Sequence, residues 1–331
     1  MEKWTTRRRE EWYSSVPWTV GANYVPSDAV NDIEMWRSET FNPGLIRREL
    51  RLARLCGLNS VRVFLSYAVW KAEGETMEKH FDEFLSISAD EGLSVMPVMF
   101  DDCAFDFGAD PVYGPQPDPV PGVHNSRWVP SPGFGLTDID ECAGYISSII
   151  GQHRGDPRII AWDLYNEAGN TDRREKSLPL LRKAFLWARL ASPSQPLTAC
   201  LWNYGEDFSA MNKEIISLSD VLSLHAYSDL DATKKLIRQF EGQPILITEW
   251  MHRPLGSEIT THIPFFKENR ISVWQWGLVK GKTQTNLSWS TMNGGTPDPE
   301  PSVWQHDLLY PDGTPYREDE IKILREAAGM D

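Results

Sequence analysis

No run of about 20 apolar residues occurs in the chain, so nothing in it can cross a bilayer as a helix. Positive charge is also short. Lysine and arginine number 33 against 47 aspartates and glutamates, a formal net charge of −14. That argues against a nucleic acid partner, because a polyanion needs a basic face. The four cysteines (Cys56, Cys103, Cys142, Cys200) lie far apart with no C-x-x-C spacing. They read as reduced, structural thiols rather than as a disulfide framework or metal site. The opening residues, "MEKWTTRRREEWYSS", hold charge but no apolar stretch of the kind a secretory signal carries. The expectation is a cytoplasmic protein, or a secreted one whose signal peptide is absent from this sequence. No glycine-rich phosphate turn follows the first strand-like run, where "GANYVPS" stands instead, and no cofactor motif is found elsewhere.

What is present is a repeated alternation of strand-like and helix-like segments. Eight β-rich runs are legible: 18–24, 60–66, 94–100, 159–165, 197–203, 221–227, 245–250 and 271–276. Between them lie amphipathic stretches such as 43–57, 138–153 and 175–190. The first of these starts at Asn42-Pro43 and stops at Gly57, as helix ends prefer. Most of the strand runs are continuously apolar, the pattern of strands covered on both faces. Eight such units predict an α/β fold, a (β/α)8 TIM barrel, and 331 residues suit one domain of that kind spanning 1–331. Two connections are long, 101–137 after the third strand and 277–317 after the eighth. Both leave the C-terminal ends of strands, where barrel active sites lie, and loops of this length commonly wall a site.

Acidic side chains collect at those same ends. Glu167 closes the fourth run in "AWDLYNEAGN", and Glu249 closes the seventh in "ILITEW". In an eight-stranded barrel the fourth and seventh strands face each other across the mouth, so both carboxylates can overlook one opening. Two carboxylates across a pocket are the minimal apparatus for cleaving a glycosidic bond. Other ends supply supporting chemistry. His225 and Tyr227 are two residues apart and share a strand face. Arg62 offers a fixed positive charge that can keep a neighbouring carboxylate ionised. Asn166 can bond a sugar hydroxyl, and Trp250 and Trp276 can present an apolar face to a sugar ring. Lysine ends none of the eight runs, which disfavours Schiff-base chemistry.

The segments "DLYNEAGN", "HAY", "LITEW" and "VWQWG" resemble the signatures of the fourth, sixth, seventh and eighth strands in the clan A retaining glycoside hydrolases, most closely family 5. The likeness runs from "WTVGANY" to Trp276. It implies Glu167 as general acid/base and Glu249 as nucleophile, with Asn166 on the sugar beside the scissile bond. It further implies that Tyr227 bonds Glu249, that His225 helps shape the site, that Arg62 holds Glu249, and that Trp276 floors the sugar subsite. Two departures stand out. Ala168 replaces the usual proline after Asn-Glu, and Asp101-Asp102-Cys103 stands where family 5 has a histidine, which makes one of these aspartates a candidate for bonding a sugar hydroxyl. The expected activity is retaining hydrolysis of β-linked oligosaccharides or plant polysaccharide side chains by double displacement, with a carbohydrate substrate and no cofactor or metal. Two other readings stay open. A metal-dependent sugar isomerase would use Asp101, Asp102, Glu167, His225 and Glu249 as ligands. A catalytically silent carbohydrate-binding protein would keep the same scaffold.

Overall fold

The computed structural model describes residues 2–105 and 110–330; residues 106–109 of the loop expected after the third strand lie outside the described residues. The eight expected runs all contain strands: β1 (Val20–Asn23), β2 (Ser60–Phe64), β3 (Ser94–Val98), β4 (Trp162–Asp163), β5 (Leu197–Thr198, resuming at Cys200–Leu201), β6 (Leu222–Ala226), β7 (Ile245–Trp250) and β8 (Ser272–Trp276). Every pairing is parallel. The ring closes through the fifth stave, whose first half pairs with β4 and second half with β6 on either side of Ala199. The architecture is a single (β/α)8 barrel.

Eleven α-helices accompany the strands among the described residues: α1 (Thr6–Ser15), α2 (Asp32–Trp36), α3 (Pro43–Leu55), α4 (Tyr67–Glu73), α5 (Glu75–Asp90), α6 (Ala143–Gln152), α7 (Leu178–Ala191), α8 (Ser209–Leu218), α9 (Leu230–Arg238), α10 (Ile259–Glu268) and α11 (Glu318–Ala327). None is long and apolar enough to cross a membrane. Helix α3 shows how the sequence sets these boundaries. The Asn42 side chain accepts the Leu45 N–H, and Pro43 occupies the first turn, where its missing donor costs nothing. Ile46, Glu49, Leu50 and Ala53 then form the buried stripe. After Cys56 the chain turns at Gly57 with φ +95°, where an added Cβ would meet the Leu324 carbonyl oxygen at 2.7 Å.

Inside the barrel, Met96, Ala161, Val221, Leu246 and Trp274 fill the N-terminal end. Helix α1 plugs it with Trp12 and Tyr13, the Tyr13 hydroxyl donating toward the carbonyls of Ile245 and Arg270. Trp274 fits only because Gly21 opposite has no side chain; a Cβ there would lie 2.5 Å from the indole.

One irregularity decides the chemistry at the other end. In β7, Leu246 points into the barrel and Ile247 out to the helices. Simple alternation would therefore aim Glu249 outward with Ile247. The register against β6 instead slips: Leu224 pairs with Ile247, but His225 pairs with Glu249. Thr248 is the extra residue of this bulge, and the slip returns Glu249 to the interior beside His225.

Candidate active site

The mouth is built on a buried guanidinium. Arg62, fully buried at the middle of β2, uses all five of its N–H groups. Nε and Nη2 donate to Asp163 Oδ2 at 3.1 and 2.9 Å, and Nη2 also reaches Asn166 Oδ1 at 2.7 Å. Nη1 donates to Asn23 Oδ1 at 2.6 Å and to Glu249 Oε1 at 2.8 Å. The other oxygen of Glu249 accepts from the Tyr227 hydroxyl at 2.8 Å. Glu249 is thus held at both oxygens by hydrogen-bond donors.

Glu167 is held differently. Its backbone sits at φ +44°, a left-handed conformation that costs a non-glycine residue about 1–2 kcal/mol. That turn swings the side chain over the opening, with the backbone N–H donating to Cys200 Sγ at 3.0 Å. Oε1 pairs with His225 Nδ1 at 2.7 Å, and Oε2 accepts from Asn170 at 2.6 Å and from the Cys103 thiol at 3.1 Å. Burial alone would push this carboxyl up. The hydrogen bond and charge of His225, with Cys103 and Asn170, outweigh it and hold the group below the usual carboxylate range.

His225 bridges the two acids, its Nδ1 lying 3.4 Å from Glu249 Oε2, while its Nε2 has no partner among the described residues. Oxygens of Glu167 and Glu249 and a nitrogen of His225 lie within 4.8 Å of one another. Such a trio can in principle hold a divalent ion, although Arg62 already occupies Glu249.

The expected site residues are thereby sorted. Glu167, Glu249, Asn166, His225, Tyr227 and Trp276 all line one cavity of about 670 Å³ at the mouth, and Arg62 lies directly beneath it. Three expected residues are not there. Trp250 is fully buried on the outside of the barrel, stacked on His262 and edge-on to Phe266. As the neighbour of Glu249 along the strand it faces the opposite way. Asp101 accepts from the Cys103 N–H, the Asn166 amide and the Trp128 indole, at 2.7–2.9 Å, and burial pushes it up to about 8 against these donors. Asp102 clamps the loop after β4 through Tyr165, the Gly169 N–H and Ser177. The two aspartates position neighbours and turn no oxygen to the cavity, which also removes them from any metal set. Cys103 takes the place beside Glu167. The four cysteines are all free and buried.

Residues that carried no signal of their own in the sequence complete the lining, among them Phe64, Phe105, His124, Trp128, Trp202, Tyr204 and Trp289. Trp276 is packed edge-on against Phe64 and Trp128. The two long loops are knitted into one wall. Asn125 N–H donates to the Thr283 carbonyl at 2.8 Å, Gln284 donates to the carbonyls of Val120 and Val123, and His124 joins Thr291 and Leu287.

Within that wall His124 clusters with His252 and His306, the ring centroids 5.6–5.9 Å apart for the His124–His306 and His252–His306 pairs. Burial is the main cause that lowers all three, His124 to about 4. Below about 6.5 the unfolded chain therefore takes up protons that the folded chain refuses, so stability falls with pH until about 4. For His124 alone the loss is about 3 kcal/mol, at about 1.4 kcal/mol for each pH unit between the two values. Urea denaturation at pH 7 and pH 4.5 is expected to show a smaller acid loss in His124→Gln than in the unaltered protein; equal losses would remove this account.

Comparison by sequence finds no matching family model and no matching curated protein. Comparison of folds does find likenesses. A variant of GH5_18 from Streptomyces cattleya in complex with Manb1-4GlcNAc superposes with a TM-score of 0.60 at 12% identity, over 94% of this chain and 80% of that one. The exo-beta-1,4-mannosidase Op5Man5 from Opitutaceae bacterium strain TAV5 gives 0.62 at 15%, over 94% of this chain and 60% of that one. A beta-mannanase from Streptomyces thermolilacinus with mannohexaose gives 0.53 at 18%, over 88% and 82%. The barrel is accordingly of the kind found in the family 5 glycoside hydrolases of clan A.

Proposed function

We propose that the protein is a retaining glycoside hydrolase that removes terminal sugars from β-linked oligosaccharides or polysaccharide side chains. The observation that carries this reading is the approach of Glu167 and Glu249 to within 4.8 Å, with His225 between them. Retaining enzymes place their carboxyl groups about 5–5.5 Å apart, whereas inverting ones leave about 6.5–9.5 Å for a water. Glu249, held between Arg62 and Tyr227, attacks the anomeric carbon as a carboxylate, and the bond to the leaving oxygen breaks as that oxygen is protonated. Glu167, which His225 Nδ1 holds at 2.7 Å, carries that proton when the substrate is bound and delivers it to the leaving oxygen. In the second step Glu167, now a base, takes a proton from the water that displaces Glu249. Asn166 meets the sugar, Trp276 floors it, and Arg62 and Tyr227 position the nucleophile.

The two long loops are bonded to each other and both line the cavity, which supports a pocket and exo action. The solved neighbours that carry β-mannosidic ligands or names make β-mannosides the first sugars to try. Following hydrolysis of a β-glycoside by proton NMR is the test. The β-anomer is expected to appear first and then mutarotate; immediate appearance of the α-anomer would mean inversion.

A further inference from the structure

A general acid marks the side of the pocket on which the leaving group lies, because it must touch the departing oxygen. Here that side is flanked by Trp202 and Tyr204. The Trp202 indole donates to the carbonyl of Ala168, next to Glu167, at 3.2 Å. The Tyr204 hydroxyl is turned to the backbone carbonyls of Leu201 and His225, at 2.8 and 3.0 Å. Both rings have therefore spent their polar atoms on the protein and offer carbon alone to the cavity. Further out, Ala232 and Leu236 from α9 and Leu255 after β7 add aliphatic surface, interspersed with Ser228, Lys235 and Gln239. Leu255 is 54% exposed and Tyr204 39% exposed, so this face keeps apolar surface in contact with water in the open protein, which is unfavourable unless something covers it. A second sugar would find hydroxyl partners here only in Ser228, Lys235 and Gln239, whereas Trp202, Tyr204, Leu236 and Leu255 offer carbon surface.

Resting on the hydrolase reading above, we infer that the leaving-group side of the pocket takes an apolar aglycone, so that the preferred substrate is a β-glycoside of a hydrophobic alcohol. The alkyl chain runs from the glycosidic oxygen at Glu167 past Trp202 and Tyr204 toward Leu236 and Leu255.

Alkyl β-mannosides and β-glucosides, from methyl to octyl, isolate this contact, because their leaving alcohols are almost equally basic and differ mainly in apolar length. Below the micellar concentration, kcat/KM is expected to rise with chain length, by up to about fourfold for each methylene fully buried and by at least about tenfold from methyl to octyl. In the double variant Leu236→Ser with Leu255→Ser the octyl-to-methyl ratio should fall to about threefold or less. A flat series, or a disaccharide cleaved better than the octyl glycoside of the same sugar, would overturn the inference and leave the hydrolase reading standing. Octyl and methyl 1-thio-β-glycosides, titrated by tryptophan fluorescence, separate the two claims. Octyl binding at least about tenfold tighter than methyl without turnover of any oxygen glycoside would uphold the apolar path and overturn the hydrolase reading. Equal binding of the two thioglycosides would overturn the inference whatever the turnover.

Discussion

Glu249→Gly is expected to lose roughly four to six orders of magnitude of hydrolytic rate, and sodium azide is expected to restore turnover by forming a glycosyl azide of inverted configuration. The expectation follows from how the carboxylate is held. Its two oxygens are fixed by Arg62 at 2.8 Å and Tyr227 at 2.8 Å, on a strand whose bulge brings it level with His225. Glycine leaves a gap of carboxylate size beside the guanidinium, where a small anion can sit and attack the same carbon from the same side. Arg62 keeps Asp163 as its counter-charge in this variant, at 2.9 Å, so the barrel should fold. An azide of retained configuration, or no azide product with an activated leaving group, would take the nucleophile's role away from Glu249.

Arg62→Met is expected to lower the unfolding free energy by about 3–5 kcal/mol, the usual cost of removing one partner from a buried charge pair, and to abolish activity with it. The guanidinium is wholly buried and satisfies Asn23, Asp163, Asn166 and Glu249 together. Without it Asp163, also wholly buried, loses its ionic partner, and Glu249 loses the donor that fixes its Oε1. The companion variant Arg62→Met with Asp163→Leu removes both buried charges and should recover much of the lost stability but none of the activity. Denaturant unfolding of the two variants reads the difference directly. A loss below about 1 kcal/mol for Arg62→Met would mean that water reaches the barrel interior and solvates these groups.

Much of the site was legible because strand periodicity is a local property. His225 and Tyr227, two residues apart, do share a face, and both reach the cavity. The same rule, applied strictly, would have turned Trp250 away, since it adjoins Glu249; aromatic character alone gave it a binding role that its packing against α10 rules out. The long loops were recognisable from length and composition. Their partnership was not, because Asn125 and Thr283 are joined across 158 positions of chain and nothing local in either segment names the other. Asp101 and Asp102 were recognisable as acids near the mouth, but the groups that claim their oxygens, Trp128 and Ser177, are distant in sequence.

By itself the sequence determined the eight-stave barrel and which acidic side chains stand at its strand ends, since side-chain period and chain punctuation act over a few residues at a time. Tertiary structure decided the rest: that a slipped register turns Glu249 inward, that a left-handed backbone aims Glu167 across from it, and that two remote loops join to line the pocket. These depend on which surfaces meet once the ring has closed, and contact between segments more than a hundred residues apart leaves no mark on either of them alone.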